Sequence, residues 1–425
     1  MKSRTLEFEG APYLDGAASD PVALGWMVGS PPPAAKQIRF EDDSFLEFPK
    51  IRWSLSHMRE LLPTANVWRG SGAPSGIEAA AGGTAAAGID ALTFDDMHGR
   101  PYSWEQSLYD TYTDGILVLH RGRRVYERYF GVLQPQLPHA CFSITKSYAA
   151  TLAATLIHEH VLDQDKTVAH YLPEMAGTAY QDATLRQVLD MQIGVAYSEL
   201  YSDPQAHIWA YARAGGLRAR GADYAGPRNF YEYLRTLRKE GEHGAAFSYK
   251  TVNTEVLCWV MNRVSGISLP ELLSSRIWSR IGCEQDAYMS VDSIGVAMGG
   301  AGLSASLRDL ARFGELLRCE GAWRGTQVIP AQVVADIRGG AEPAKFAPAG
   351  YTLLPGYSYR NMWWVSHNDL GTFEGRGIHG QRLYVAPKAE LVIARFASHP
   401  IASSVANDPI TLPAFAALGL FLMRG

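Results

Sequence analysis

The chain has 425 residues, of which 47% are hydrophobic, 11% aromatic and 19% charged, enough to bury a large core and to divide into two units. A net charge of −4 without a long basic run excludes an electrostatic grip on nucleic acid or on an anionic membrane and points to small-molecule chemistry. No stretch has the ~18 consecutive apolar residues of a membrane span, and MKSRTLEFEGAPYLDG lacks the apolar core of a secretory signal, so a cytoplasmic protein is expected.

Residues 1 to about 70 are rich in proline and aromatics, as in GSPPPAAKQIRF and FPKIRWSLSHMRELLP. They predict an extended arm that wraps the body and ends in a short helix, with no chemistry of its own. The Gly/Ala stretch from Gly70, GSGAPSGIEAAAGGTAAAGIDAL, predicts a loop or linker without a site. After Asp114 two β-rich runs, GILVLH and VYERYF, flank Arg121-Gly122-Arg123 and predict a hairpin.

The next stretch is Cys141-Phe-Ser-Ile-Thr-Lys-Ser147, followed by SYAATLAATLIHEHV, alanine- and leucine-rich and free of Gly and Pro. This places Ser143 in the first turn of a buried helix with Lys146 three residues on, on the same helix face. An amine so placed can take the hydroxyl proton, and the helix N-terminus adds positive potential beside the reacting centre. The spacing alone also fits a serine in a helix first turn beside an exposed lysine. Helical patterns dominate from about 150 to 300, including ATLRQVLDMQ and SLPELLSSRIWSRIG, with the aromatic loop Tyr197-Ser-Glu-Leu-Tyr-Ser-Asp203 between helices. Tyr249, in FSYKTVNT, stands immediately before the helix-like EVLCWVMNRVSG.

Beyond Ser304, SASLRDLARFGELLRCEG repeats its leucines at helical spacing behind Ser306 as N-cap. RLYVAP and LVIARFAS predict a second hairpin, and LPAFAALGLFLM a terminal helix that is apolar nearly all round. Tyr351, Tyr357, Tyr359, Trp363 and Trp364 fit core or surface packing better than a pocket wall. Cys141, Cys258, Cys283 and Cys319 are far apart and read as reduced, buried thiols, Cys141 as a small apolar residue under the helix. The histidines form no H-E-x-x-H or comparable pair, so neither a metal nor an organic cofactor is expected. The expected architecture is α/β (α+β): an antiparallel sheet with flanking helices from residues 96–150 and 300–425, an inserted mainly helical lobe over 151–299, and an arm and linker over 1–95. The site would lie between the lobes.

FSITKSYAATL, ATLRQVLDMQIG, FSYKTVNTEVL, MGGAGLSASLRDLARFG and GIHGQRLYVAP stand in that order, and with them residues from about 100 to 425 resemble the serine β-lactamase and penicillin-binding-protein superfamily. Within it the chain looks most like the class C-like, esterase-containing branch and its 6-aminohexanoate-dimer hydrolases. The resemblance implies the β-lactamase-like fold, with Ser143 as acylated nucleophile, Lys146 as proton acceptor and Tyr249 as second acid/base at the leaving group. It also implies an oxyanion hole from the backbone N–H groups of Ser143 and Ile378, and a substrate-binding role for Glu199, Tyr201, Arg376 and His379, although the residues around Glu199 and Tyr201 fit a solvent-exposed polar loop equally well. Two departures stand out. Gly375-Arg376-Gly377 lacks the lysine that grips a penicillin carboxylate, which leaves Arg376 as a substitute, and Tyr249-Lys-Thr251 lacks the amide of the usual Tyr-x-Asn. The implied activity is therefore hydrolysis of a small amide or carboxylic ester. A β-lactamase or D-alanyl-D-alanine carboxypeptidase and a non-catalytic binding protein on the same fold remain alternatives. A homodimer is compatible with the sequence, and the acyl and leaving groups are not determined by it.

Overall fold

The computed structural model describes residues 4–80 and 84–424. Its centre is a seven-stranded antiparallel sheet. Two strands come early, β1 (Thr113–His120) and β2 (Arg123–Tyr129), joined by a turn in which Arg121 and Gly122 both have positive φ, as the tight hairpin turn requires. The others come late: β3 (Ser358–Arg360), β4 (Trp363–Val365), β5 (Phe373–Gly377), β6 (Gln381–Ala386) and β7 (Leu391–Ala397). The spatial order is β3-β4-β5-β6-β7-β1-β2, so the early hairpin docks on β7, with Leu117 opposite Ala394. Both hairpins read from the sequence are present.

β1 is apolar without interruption because helices cover both faces of the sheet. Leu117 and Leu119 point into one core with α1 (Ile144–His158) and α3 (Leu307–Arg318), while Ile116 and Val118 point into a second with the helix Trp104–Asp110 and α4 (Asp408–Leu422). In α3 the Ser306 side chain accepts from the Asp309 N–H, the N-cap its sequence predicts. The terminal helix buries Ala414, Phe415, Leu418 and Leu422 and exposes Leu420 and Met423. Helices also dominate from Val168 to Trp278, the longest being α2 (Val252–Ser265). α1 lies between α2 and β5, and every residue from Ile144 to Leu156 is buried. The hydroxyls of Thr151 and Thr155 donate to carbonyls one turn back, whereas the buried Tyr148 hydroxyl has no hydrogen-bond partner.

The arm is more than a wrap. It forms a hairpin, Thr5–Phe8 with Ala11–Leu14, and a cluster of Ile38, Phe45, Ile51, Trp53, Leu55, Met58 and Leu62 that packs on Phe142. Buried Arg52 ties it to the start of β1 through an ion pair with Asp114 at 3.2 Å. Its strand Thr64–Val67 pairs with Ala287–Ser290, which pairs with Leu303–Ala305, which pairs with His139–Ala140 just before the Ser143 turn. The Gly/Ala stretch, read as loop, contains the helix Thr84–Asp90, which sinks Ile89 into the second core; its residues 81–83 lie outside the described residues. A Cβ on Gly88 would lie 2.8 Å from the Phe421 ring of the C-terminal helix, a packing reason for glycine that composition alone does not reveal. All four cysteines are unpaired; Cys141, Cys258 and Cys283 are buried, whereas Cys319 is partly exposed, contrary to its reading, because it ends α3 at the surface. Among the described residues no helix is long and apolar enough to cross a membrane.

Candidate active site

The short strand His139–Ala140 before α1 is followed by a turn with Phe142 at φ +44°, a strained backbone for a bulky residue that costs ~1–3 kcal/mol. Packing against the arm cluster holds it there. The bend delivers Ser143 to the first turn of α1, where its side chain makes no helix-cap bond and faces a cavity of about 950 Å³. Lys146 Nζ lies 2.9 Å from Ser143 Oγ and donates to the Gly300 carbonyl at 2.6 Å. Lys146 is 1% exposed; burial lowers its pKa to about 8, against the opposing pull of the Glu199 and Glu255 charges. A share of this lysine is thus a neutral amine at ordinary pH.

Tyr249 completes the group. Its ring lies 5.1 Å from Lys146 Nζ, and it lines the cavity beside Ser143. Burial, reinforced by the Glu199 charge, raises the phenol pKa well above its ordinary value, with the Ser143 side chain pulling the other way. The phenol is therefore neutral rather than a standing phenolate. Trp364 stacks on its ring at 5.6 Å and Tyr359 meets it edge-on. Tyr351 and Trp364 line the cavity, Tyr359 is packed behind them, and Trp363 sits in the core, its indole donating to Thr151. The aromatic run thus divides between wall and packing because alternate positions of β4 face opposite ways.

The remaining candidates gather here with mixed commitments. Ile378 stands beside Ser143 in the cavity lining, just past the last paired residue of β5, Gly377. A Cβ on Gly377 would lie 2.7 Å from the Cys141 carbonyl oxygen, so only glycine lets β5 run this close to the Ser143 turn. The Glu199 carboxylate is engaged within the protein: Tyr201 donates to it at 2.9 Å, and Thr251 does so through its N–H at 2.7 Å and its hydroxyl at 2.6 Å. Thr251, replacing the asparagine of Tyr-x-Asn, thus fastens the 197–203 loop to the start of α2. Arg376 also lines the cavity, 4.9 Å over Trp364, but its guanidinium pairs with Asp408 and with Glu374 at 3.4 Å, and Arg382 pairs with the same two acids. Burial opposes its charge, and the two acids more than offset that, holding its pKa above the ordinary value. His379 is buried in the turn after β5, with Nδ1 2.7 Å from the His399 carbonyl oxygen. Burial lowers its pKa to about 4, so it is a neutral part of the wall.

Sequence reasoning missed the arm's share of the cavity. Glu7, Phe8, Phe45, Met58 and Leu62 line it, contrary to the reading of an arm without a part in the site; aromatic density was the available signal. It also passed over Glu255, whose signal was a lone acid within the apolar stretch EVLCWVM. Among the described residues no three His, Cys, Asp or Glu side chains converge in a manner that could hold a metal ion.

The β-lactamase family profile matches residues 105–412. The chain belongs to the β-lactamase family. It is 35% identical over 359 residues to the 6-aminohexanoate-dimer hydrolase of Paenarthrobacter ureafaciens, an alignment that covers 84% of this chain and 88% of that one. Among solved structures it matches a Bacillus anthracis protein assigned to the 6-aminohexanoate-dimer hydrolases, with a TM-score of 0.83 and 30% identity over 91% of this chain and 99% of that one. A more distant likeness, TM-score 0.56 and 16% identity over 72% of this chain and 92% of the other, is to EstCE1, a hydrolase with promiscuous acyltransferase activity; it speaks for the fold alone. This member of the β-lactamase family is a serine hydrolase of the amidase and esterase kind.

Proposed function

We propose that the protein cleaves short linear amides and carboxylic esters, 6-aminohexanoate oligomers among them, through an acyl-enzyme on Ser143. The observation that carries this reading is the 2.9 Å approach of the Lys146 amine to Ser143 Oγ inside a desolvated pocket that opens on a largely apolar cavity. Neutral Lys146 takes the Ser143 proton as Oγ bonds to the substrate carbonyl carbon. The N–H groups of Ser143 and Ile378 hold the oxyanion that forms, a contribution of roughly 3 kcal/mol per donor. Tyr249 relays the proton from Lys146 to the leaving nitrogen or oxygen as its bond to carbon breaks. Water then attacks the ester, giving its proton through the same pair, and Ser143 leaves with a proton. The absence of a free cation at the third motif, where Arg376 is paired with Asp408 and Glu374, favours linear substrates over penicillins. A cytoplasmic setting belongs to the same proposal and is supported by four unpaired cysteines.

Incubation with p-nitrophenyl esters and with the linear 6-aminohexanoate dimer tests the reading directly: turnover of both is expected, together with an acyl adduct on Ser143 seen by mass spectrometry. Labelling by a fluorescent penicillin without turnover of either substrate would overturn it. The pH dependence follows from the base. Only the neutral amine accepts a proton, so kcat/KM should fall tenfold per pH unit below about 8 and be level above it, leaving about a tenth of the activity at pH 7. A profile flat from pH 6 to 9 would rule out a lysine base.

Tyr201 and Glu199 face the cavity beside the scissile position and are proposed to sort substrates. Tyr201→Phe removes a hydroxyl able to bond a substrate amide, so the loss in kcat/KM for the linear dimer should exceed the loss for p-nitrophenyl acetate by ~10-fold, about 1.4 kcal/mol. Glu199→Gln should depress both substrates, because its carboxylate also pins Thr251, two residues beyond Tyr249. Equal losses on both substrates in the tyrosine variant would assign the loop to support of the site.

A further inference from the structure

Glu255 sits one turn into α2, 2% exposed, and its carboxylate is spent on three donors of the protein itself. Oε1 accepts from the Tyr211 hydroxyl at 2.6 Å and from the Gly300 N–H at 2.8 Å, and Oε2 accepts from the Gly299 N–H at 3.0 Å. The Gly300 carbonyl, on the same residue, is the one that receives Lys146 Nζ at 2.6 Å. A continuous line of short hydrogen bonds therefore runs from Glu255 through Gly300 to the amine and on to Ser143 Oγ. The turn is fitted closely to α2: a Cβ on Gly300 would lie 2.4 Å from Thr251 Cγ2 and 2.9 Å from Glu255 Oε1, so the backbone can approach the carboxylate only as glycine. A buried acid this elaborately bonded, one carbonyl away from a proposed catalytic amine, has more to do than close a turn.

We propose that Glu255 is a positioning residue for the base, holding the Gly300 carbonyl, and through it the Lys146 amine, against Ser143. The inference rests on the reading of Lys146 as the base. Its second consequence is electrostatic. The charges that face Lys146 are Glu255 on α2 and Glu199 on the 197–203 loop, with the neutral Tyr249 phenol and Cys258 thiol beside them. Glu255 in turn faces Tyr211, the two glycine N–H groups and Lys146. Burial raises its pKa to about 6 while those donors hold it down, so above neutrality it is a carboxylate and favours the protonated amine. Geometry and charge act on the base in opposite senses, which makes them separable.

Glu255→Gln and Glu255→Asp separate them. The amide is isosteric, and its oxygen can keep the Tyr211 and Gly300 bonds, so the fold should persist as judged by its melting temperature. The charge is gone, and the acid limb of both kcat/KM and the rate of Ser143 labelling by a fluorophosphonate should move to lower pH; the NH₂ now turned on the Gly299 N–H should displace Gly300 and lower the plateau kcat by ~10-fold or more. The aspartate keeps the charge and withdraws it by one methylene, so the plateau should fall while the limb stays near its wild-type position; it also carries the test of positioning should the amide fold poorly. Plateau and limb unchanged in Glu255→Gln, or an acid limb that moves to higher pH in that variant, would overturn the proposal. Failure of the fluorophosphonate to label wild-type Ser143 would instead overturn the underlying assignment of Ser143 and Lys146.

Discussion

Ser143→Ala is expected to lower kcat by ~10⁴-fold or more and to leave the melting temperature within a few degrees of wild type. The first half follows from the loss of the atom proposed to form the acyl bond, since members of a coupled catalytic set each cost that much when removed. The second half is particular to this fold. Although Ser143 stands at the N-cap position of α1, its hydroxyl makes no cap bond to the helix; its hydrogen-bond partner is Lys146. The usual cost of removing a serine cap, ~1 kcal/mol, therefore does not apply. The measurement is steady-state turnover of a p-nitrophenyl ester beside a thermal melt, with mass spectrometry of the wild type caught on a slow ester. Full activity in the alanine variant, or an adduct on another residue, would remove Ser143 from the mechanism.

Lys146→Arg is expected to be nearly as inactive, with kcat/KM down by ~10³-fold or more at every pH from 6 to 10. A guanidinium stays charged throughout that range and cannot accept the serine proton. It would still find an acceptor in the Gly300 carbonyl and countercharges in Glu199 and Glu255, so the site would remain electrically satisfied while losing its proposed base. The absence of recovery at high pH distinguishes this from a lysine whose amine has merely been made harder to deprotonate, which would regain its rate as the pH rose. Substantial activity, or a rate that climbs with pH in the arginine variant, would assign the base elsewhere, with Tyr249 the next group in line.

Much of this protein could be read before it was folded. Ser143 and Lys146 lie three residues apart at the start of an unbroken apolar helix, so their alignment is a property of helix geometry and needs no partner from elsewhere. The hairpins around Arg121-Gly122 and before Leu391, and the Ser306 cap of α3, are equally local, because alternation and turn residues act over a few peptide units. What the residue pattern could not decide was the state of each group once distant segments closed on it. Arg376 is readable as a cation near the nucleophile, yet its charge is matched by Asp408, which arrives on the terminal helix. Glu199 is readable as an acid in a polar loop, yet Thr251, far along the chain, holds its oxygens. The arm looks peripheral as a proline-rich string and becomes cavity wall because its apolar cluster packs on Phe142. Lys146 is readable as a lysine; its partly neutral state comes from burial between α2, β5 and the Gly300 turn. The sequence by itself determined which side chains share a helix face and where strands begin and turn, since dihedral preferences and hydrophobic period are short-range. The tertiary structure alone decided which charges are compensated, which are desolvated, and what shape of cavity they face, since desolvation and ion pairing depend on how segments distant in the chain close around each group.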